Sequence, residues 1–255
     1  MIRFILCALL LAVAAYGQTY TVVTDHAVPA KMRDGVTLIA DVYCPKADGK
    51  FPVQLQRTPY NRIGGARSAE QMAEHGYVVI IQDTRGRFDS QGEFYPFRFE
   101  SQDGYDSVEW AASLPYSNGK VGTFGGSYVG ATQMLAAIAK PPHLVAIFPY
   151  VTASEYYDGW TYQSGALMQW FASSWTSGLA VDTLRRKAGG LQDAKQWTAS
   201  LPIDGYRVLD LPHPPGLAPY YLDWVAHERD DDYWRPWKIS DHYSEMNIKA
   251  LHAGG

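Results

Sequence analysis

An α/β layer architecture is what this sequence predicts, and three observations predict it. From residue 19 to about residue 144, β-type and helix-type stretches alternate, the pattern of a sheet with helices packed on its faces. Residues 77–82 (YVVIIQ) form a continuous apolar run, as expected of a strand covered on both faces in a parallel sheet. A chain of 255 residues with 47% hydrophobic residues and a formal charge of −4 can bury one large core.

The elements follow in order. Residues 36–43 read as a strand entered from the turn Arg33-Asp34-Gly35, and residues 51–56 as a second. Residues 67–75 have helical spacing and stop at Gly76, a C-cap residue. The run at 77–82 is the third strand. Residues 103–113 read as a helix with Asp106 and Glu109 outward and Tyr105, Val108 and Trp110 inward. Residues 119–125 (GKVGTFG) are a short strand. A helix over 128–140 is closed by Pro141-Pro142, and 144–150 resumes as a strand. Residues 155–240 change character, with much Trp, Tyr, Gly and Pro in helical pieces and irregular loops. Residues 248–255 (IKALHAGG) read as the return of a core strand, with His252 packed inside it.

The N-terminus reads as a targeting segment. Arg3 precedes an apolar run over residues 4–15 that is too short to cross a bilayer comfortably, and Ala15-Tyr16-Gly17 offers small residues at signal-peptidase spacing. Cleavage is expected after Gly17, giving a secreted or periplasmic protein with no stable membrane insertion; an uncleaved anchor is the rival reading. Cys7 leaves with the signal, so Cys44 has no intrachain partner and reads as a structural thiol. No basic tract is available to neutralise nucleic-acid phosphates, and no His/Cys cluster has metal-ligand spacing. The 18 Tyr and 8 Trp suit core packing or a cleft for apolar substrates.

The chemistry centres on Gly125-Gly126-Ser127-Tyr128-Val129-Gly130, between a strand and a helix. A serine there sits at a strained turn with its hydroxyl exposed, and the helix start aims N–H groups at an oxyanion. The generic elbow has its second glycine two residues after the serine; here Val129 holds that place and Gly130 follows. Glycine beside serine also occurs in ordinary turns. Upstream, Arg57-Thr58-Pro59-Tyr60-Asn61-Arg62 follows a core strand and faces the same sheet edge. The Tyr60 hydroxyl could donate to the oxyanion with the Tyr128 N–H as second donor, or Tyr60 could simply pack the loop.

Three segments together, RTPYNR, GYVVIIQDTRGRFDSQGEF and GKVGTFGGSYVGATQ, resemble the cocaine esterase and Xaa-Pro dipeptidyl-peptidase (CocE/NonD) family of serine hydrolases, from about Lys31 onward. In that family the second glycine comes one place late, as Gly130 does. The resemblance implies an α/β-hydrolase core with a cap insertion at about 155–240. It implies Ser127 as nucleophile, Tyr60 as oxyanion donor through its hydroxyl and Tyr128 through its backbone. It also implies a structural loop over 83–92 containing a buried Asp–Arg pair, and no cofactor or metal.

The family's acid follows a strand ending in Gly-Gly-Trp-x-Asp, and its histidine and C-terminal β-sandwich come later. This sequence stops at Leu251-His252-Ala253-Gly254-Gly255, so triad acid and base are expected beyond residue 255, and the chain reads as an incomplete product or a truncated gene model. His143, His213, His227, His242 and His252 follow Ser127 and are poorly suited as substitutes: they read as turn, proline-rich, solvated or packed positions. Esters, proline-containing dipeptides and N-acyl amides compete as substrates. Glu155 and Asp158 are candidates to hold a dipeptide's free amine, with ordinary surface charge as the alternative. A catalytically dead scaffold serving as a binding or structural protein is the rival from another class.

Overall fold

The computed structural model describes residues 19–187 and 217–254. The expected signal over residues 1–17, with Cys7, and His213 lie outside the described residues. In chain order the elements are β1 (Val22–Lys31), β2 (Thr37–Pro45), β3 (Phe51–Thr58), a 3-10 turn at Arg62–Gly65, α1 (Ala66–Ala73), β4 (Val78–Asp83), α2 (Glu100–Ser113), β5 (Ser117–Gly126), α3 (Tyr128–Ile138) and β6 (Leu144–Tyr150). The insertion then supplies a small hairpin, β7 (Tyr162–Gln163) and β8 (Ala166–Leu167), followed by the helices α4 (Gln169–Lys187) and α5 (Pro219–Ala226). After two 3-10 turns, β9 (Lys249–Ala250) returns to the sheet.

The main sheet has the order β1-β2-β4-β3-β5-β6-β9. β1 and β2 are antiparallel, β2 is antiparallel to β4, and the rest pair in parallel. The apolar run read as a doubly covered strand is β4, whose six residues are all buried. Val79 and Ile81 pack with Tyr43 against Ala69 and Ala73 of α1; Val78 and Ile80 point into the larger core beneath α2 and α3. Burying each such isoleucine is worth about 1.5–3 kcal/mol, which is why the strand carries no polar alternation.

Strand order locates the functional edge. β3 lies between β4 and β5. The chain leaves β3 through α1 toward β4, then crosses to β5 on the other side. Loops at the carboxyl ends of β3 and β5 therefore diverge, leaving the crevice where open α/β sheets bind ligands.

The loop after β4 ties the insertion to the core. Arg87 donates through Nε to the Pro59 carbonyl (2.9 Å) and through Nη1 to the Leu179 carbonyl of α4 (2.9 Å). The Phe88 N–H donates to Asp182 Oδ2 (2.9 Å), and Arg186 Nη1 donates to the carbonyls of Phe88 and Ser90, both at 2.7 Å.

Two expectations need correction. The Asp–Arg pair expected within the loop over 83–92 is instead two separate anchors. Asp83 pairs with Arg62 (2.6 Å), whereas Arg85 pairs with Asp103 of α2 (2.6 Å) and Asp34 (2.8 Å). Asp83 ends a buried strand and Arg85 turns toward α2, so each meets charge from a different layer. The final segment is paired as expected, with Tyr150 bridging to Ala253, but it is not buried. Leu251 is 65% exposed and His252 is exposed, because β9 is the outermost described strand.

Candidate active site

Ser127 stands between β5 and α3 with φ 56° and ψ −127°, a left-handed backbone for a residue with a Cβ. The neighbouring glycines make the turn possible by close approach. A Cβ on Gly126 would run into the Tyr150 ring, and one on Gly130 would lie 2.7 Å from Thr152 Cβ. The late glycine is therefore set by packing of α3 against the segment after β6. The Ser127 N–H donates to the carbonyls of Tyr150 (3.0 Å) and Val151 (3.2 Å), fixing the apex to β6.

Behind the apex, one buried amide ties three elements together. Gln133 Nε2 donates to the carbonyls of Gly125 (3.0 Å), Val129 (3.1 Å) and Phe148 (3.3 Å), while its Oε1 accepts from the Phe148 N–H (3.0 Å).

Tyr128 opens α3, where an N–H has no intrahelical acceptor. Its side chain turns inward. Tyr128 Oη donates to Glu100 Oε1 (2.8 Å) and accepts from the Phe97 N–H (3.0 Å); Arg57 Nη1 donates to the other Glu100 oxygen (2.7 Å). Burial, then the neighbouring Glu100, holds the Tyr128 hydroxyl well above its ordinary pKa. The ring thus locks the start of α3 to α2.

Tyr60 lies on the loop after β3, which is pinned throughout. Its own N–H donates to Thr58 Oγ1 (3.1 Å), Arg87 holds the Pro59 carbonyl, and the Arg62 N–H donates to Asp83 Oδ1 (2.7 Å). Tyr60 and Ser127 line one cleft of about 550 Å³, with Gln56, Asn61, Ser68, Tyr150 and Val151 among its walls. The Tyr60 oxygen accepts from Trp175 Nε1 of α4 at 3.0 Å. Burial raises the Tyr60 pKa, and the hydrogen-bonding influences of Trp175 and Ser127 and the charge of Arg87 draw it back only in part. Tyr60 and Trp175 also line a second cavity of about 390 Å³, with Arg87, Phe88 and Asp182.

Among the described residues, no histidine lines the cleft. His143 binds Glu109 (2.7 Å) and His227 binds Asp231 (2.7 Å) while stacking on Tyr233. His242 lies 3.6 Å from Glu245. Glu155 is neutralised by Lys238 (3.1 Å), and Asp158 accepts from the Ser164 N–H (3.1 Å), so neither lines the cleft. Cys44 is half-buried in β2, and burial pushes its thiol pKa up. No cluster of His, Cys, Asp and Glu suited to a metal occurs among the described residues, nor a helix long and apolar enough to cross a membrane.

The sheet order, the serine turn after β5 and the insertion after β6 define an α/β-hydrolase core. Residues 34–255 match the X-Pro dipeptidyl-peptidase (S15) family, and the chain belongs to it. It is 33% identical over 254 residues to the cocaine esterase of Rhodococcus sp. (strain MB1 Bresler), an alignment covering 92% of this chain and 44% of that protein. Among solved structures it resembles an aminopeptidase from a marine sediment archaeon, Thaumarchaeota archaeon, with TM-score 0.72 and 22% identity over 92% of this chain and 43% of that one. It also resembles an α-amino acid ester hydrolase, with TM-score 0.69 and 21% identity over 94% of this chain and 44% of that one. The chain thus spans less than half the length of each of these proteins, which are named as hydrolases of esters or peptides.

The sequence motifs singled out Ser127, Tyr60 and Tyr128, but not the residues that hold them. Glu100 is a polar group in a helix with no motif of its own, Gln133 closes the GKVGTFGGSYVGATQ segment but has no role legible in it, and Trp175 is one aromatic in a segment full of them.

Proposed function

We propose that the full-length protein is a serine hydrolase that transfers the acyl group of an ester or amide to water. Ser127 Oγ attacks the carbonyl carbon and the C–O or C–N bond breaks from the tetrahedral intermediate, leaving an acyl-enzyme that water cleaves. The Tyr60 hydroxyl and the Tyr128 N–H donate to the oxygen that gains negative charge. The serine proton passes to a general base and on to the leaving group. The described residues lining the cleft include no such base, and in this proposal it comes from elsewhere in the full-length protein.

The observation that carries the proposal is the pairing of a strained, exposed Ser127 with a phenol facing it from the loop after β3. A lone serine in a turn would need no such partner. Small esters, amides and short peptides, Xaa-Pro dipeptides among them, are the substrate class. We further propose that residues 1–17 are removed as a signal, so that the protein acts as a secreted or periplasmic enzyme.

The rival reading is a binding scaffold on a hydrolase fold. A fluorophosphonate probe distinguishes the two. The full-length protein is expected to be labelled on Ser127 and the Ser127→Ala variant left unlabelled. Equal labelling of both, or of neither, removes Ser127 from the mechanism.

A further inference from the structure

A tyrosine hydroxyl carries one proton and also accepts hydrogen bonds, so a phenol beside a serine has no built-in reason to aim its proton there. Trp175 supplies the missing constraint. Its Nε1–H donates to Tyr60 Oη at 3.0 Å. An indole nitrogen is a donor with no acceptor capacity, so Tyr60 cannot donate back along that line. One side of the phenolic oxygen is thereby taken, and the cleft that Tyr60 shares with Ser127 remains for the proton. We infer that Trp175 is a positioning residue: through its indole N–H it turns the Tyr60 proton toward the oxygen that gains charge at Ser127. This inference rests on the reading of Ser127 and Tyr60 given under the proposed function.

The indole is itself held in place. It stacks on Tyr128 (5.8 Å between centroids, 27° between planes) and on Trp224 (6.1 Å, 26°), and meets Trp160 edge-on (5.2 Å, 83°). One side chain from the insertion thus touches both proposed donor residues, the hydroxyl of Tyr60 and the ring of Tyr128. A hydroxyl that accepts a hydrogen bond also becomes a better donor, because the two bonds polarise one another. Packing alone would require a large ring at residue 175 and nothing of its nitrogen, and that difference can be measured.

The test uses the full-length protein and a p-nitrophenyl ester. Residue 175 is changed to Phe and, separately, to 3-benzothienylalanine, which keeps the two-ring shape and stacking but replaces N–H by sulfur. Each change is made alone and together with Tyr60→Phe. In the native background, both changes are expected to lower kcat about 10-fold, less than the loss of an oxyanion donor itself, with KM nearly unchanged; Tm stays nearly unchanged in the benzothienyl protein and falls in Trp175→Phe, which loses one ring from the stack. In the Tyr60→Phe background they are expected to cost nothing further, because coupled residues are non-additive. Full kcat in the benzothienyl protein, or the same loss in both backgrounds, overturns the positioning role. Wild-type kcat in Tyr60→Phe alone overturns the underlying assignment of Tyr60 and takes this inference with it.

Discussion

A phenol serves as an oxyanion donor only while it keeps its proton. Burial raises the Tyr60 pKa by more than Trp175, Ser127 and Arg87 lower it, so the donor form persists past the ordinary phenol value of about 10. Tyr60→Phe should therefore lower kcat of the full-length protein by about 10²–10³-fold, and by the same factor throughout pH 7–10. If the phenol ionised within that range, wild-type activity would fall with rising pH and the deficit would shrink toward pH 10; rate profiles of the two proteins decide. Ser127 and Tyr60 were legible because each sits where the chemistry requires it: on a glycine-bounded strand-to-helix turn, and on the loop leaving an adjacent strand. Trp175 was not legible. It lies 115 residues from Tyr60 in sequence, and the folding of the insertion brings them together, which no local periodicity records.

Elements around the turn are joined by polar groups as well as by close packing. Gln133 satisfies carbonyls from β5, α3 and β6 and accepts the Phe148 N–H inside the protein. Gln133→Leu, similar in size, removes these four hydrogen bonds, with only the Val129 carbonyl keeping a side-chain partner in Thr132, and should cost about 2–4 kcal/mol, read as a lower urea midpoint with an unchanged slope. A loss below about 0.5 kcal/mol would mean that the amide network does not hold the turn. The same polar anchoring explains where element boundaries were misjudged. The helix expected over 103–113 starts at Glu100, because Glu100 and Asp103 are buried in its first turn against Arg57 and Arg85. Hydrophobic spacing reads such residues as surface. It read β4 well because apolar burial defines it, and β6 through its apolar sequence although Val145, Phe148 and Tyr150 are exposed. It also mistook the exposed β9 segment for core, since alternation alone does not tell an outer strand from an inner one.

At the scale of the whole molecule, the localisation proposal is checked by intact mass. The extracellular or periplasmic protein should begin at Gln18; recovery there of a protein retaining Met1 would contradict cleavage. The fastening of α4 to the loop over 84–92 has a different consequence. Arg87 and Asp182 are both nearly fully buried, each facing groups of the other segment. A graft of α4 alone from another protein would strand Arg87 in the interior, and a graft of the loop alone would strand Asp182, each an uncompensated buried charge. Helix and loop are thus one module for recombination, and a chimera meant to change the aromatic wall of the cleft must carry both.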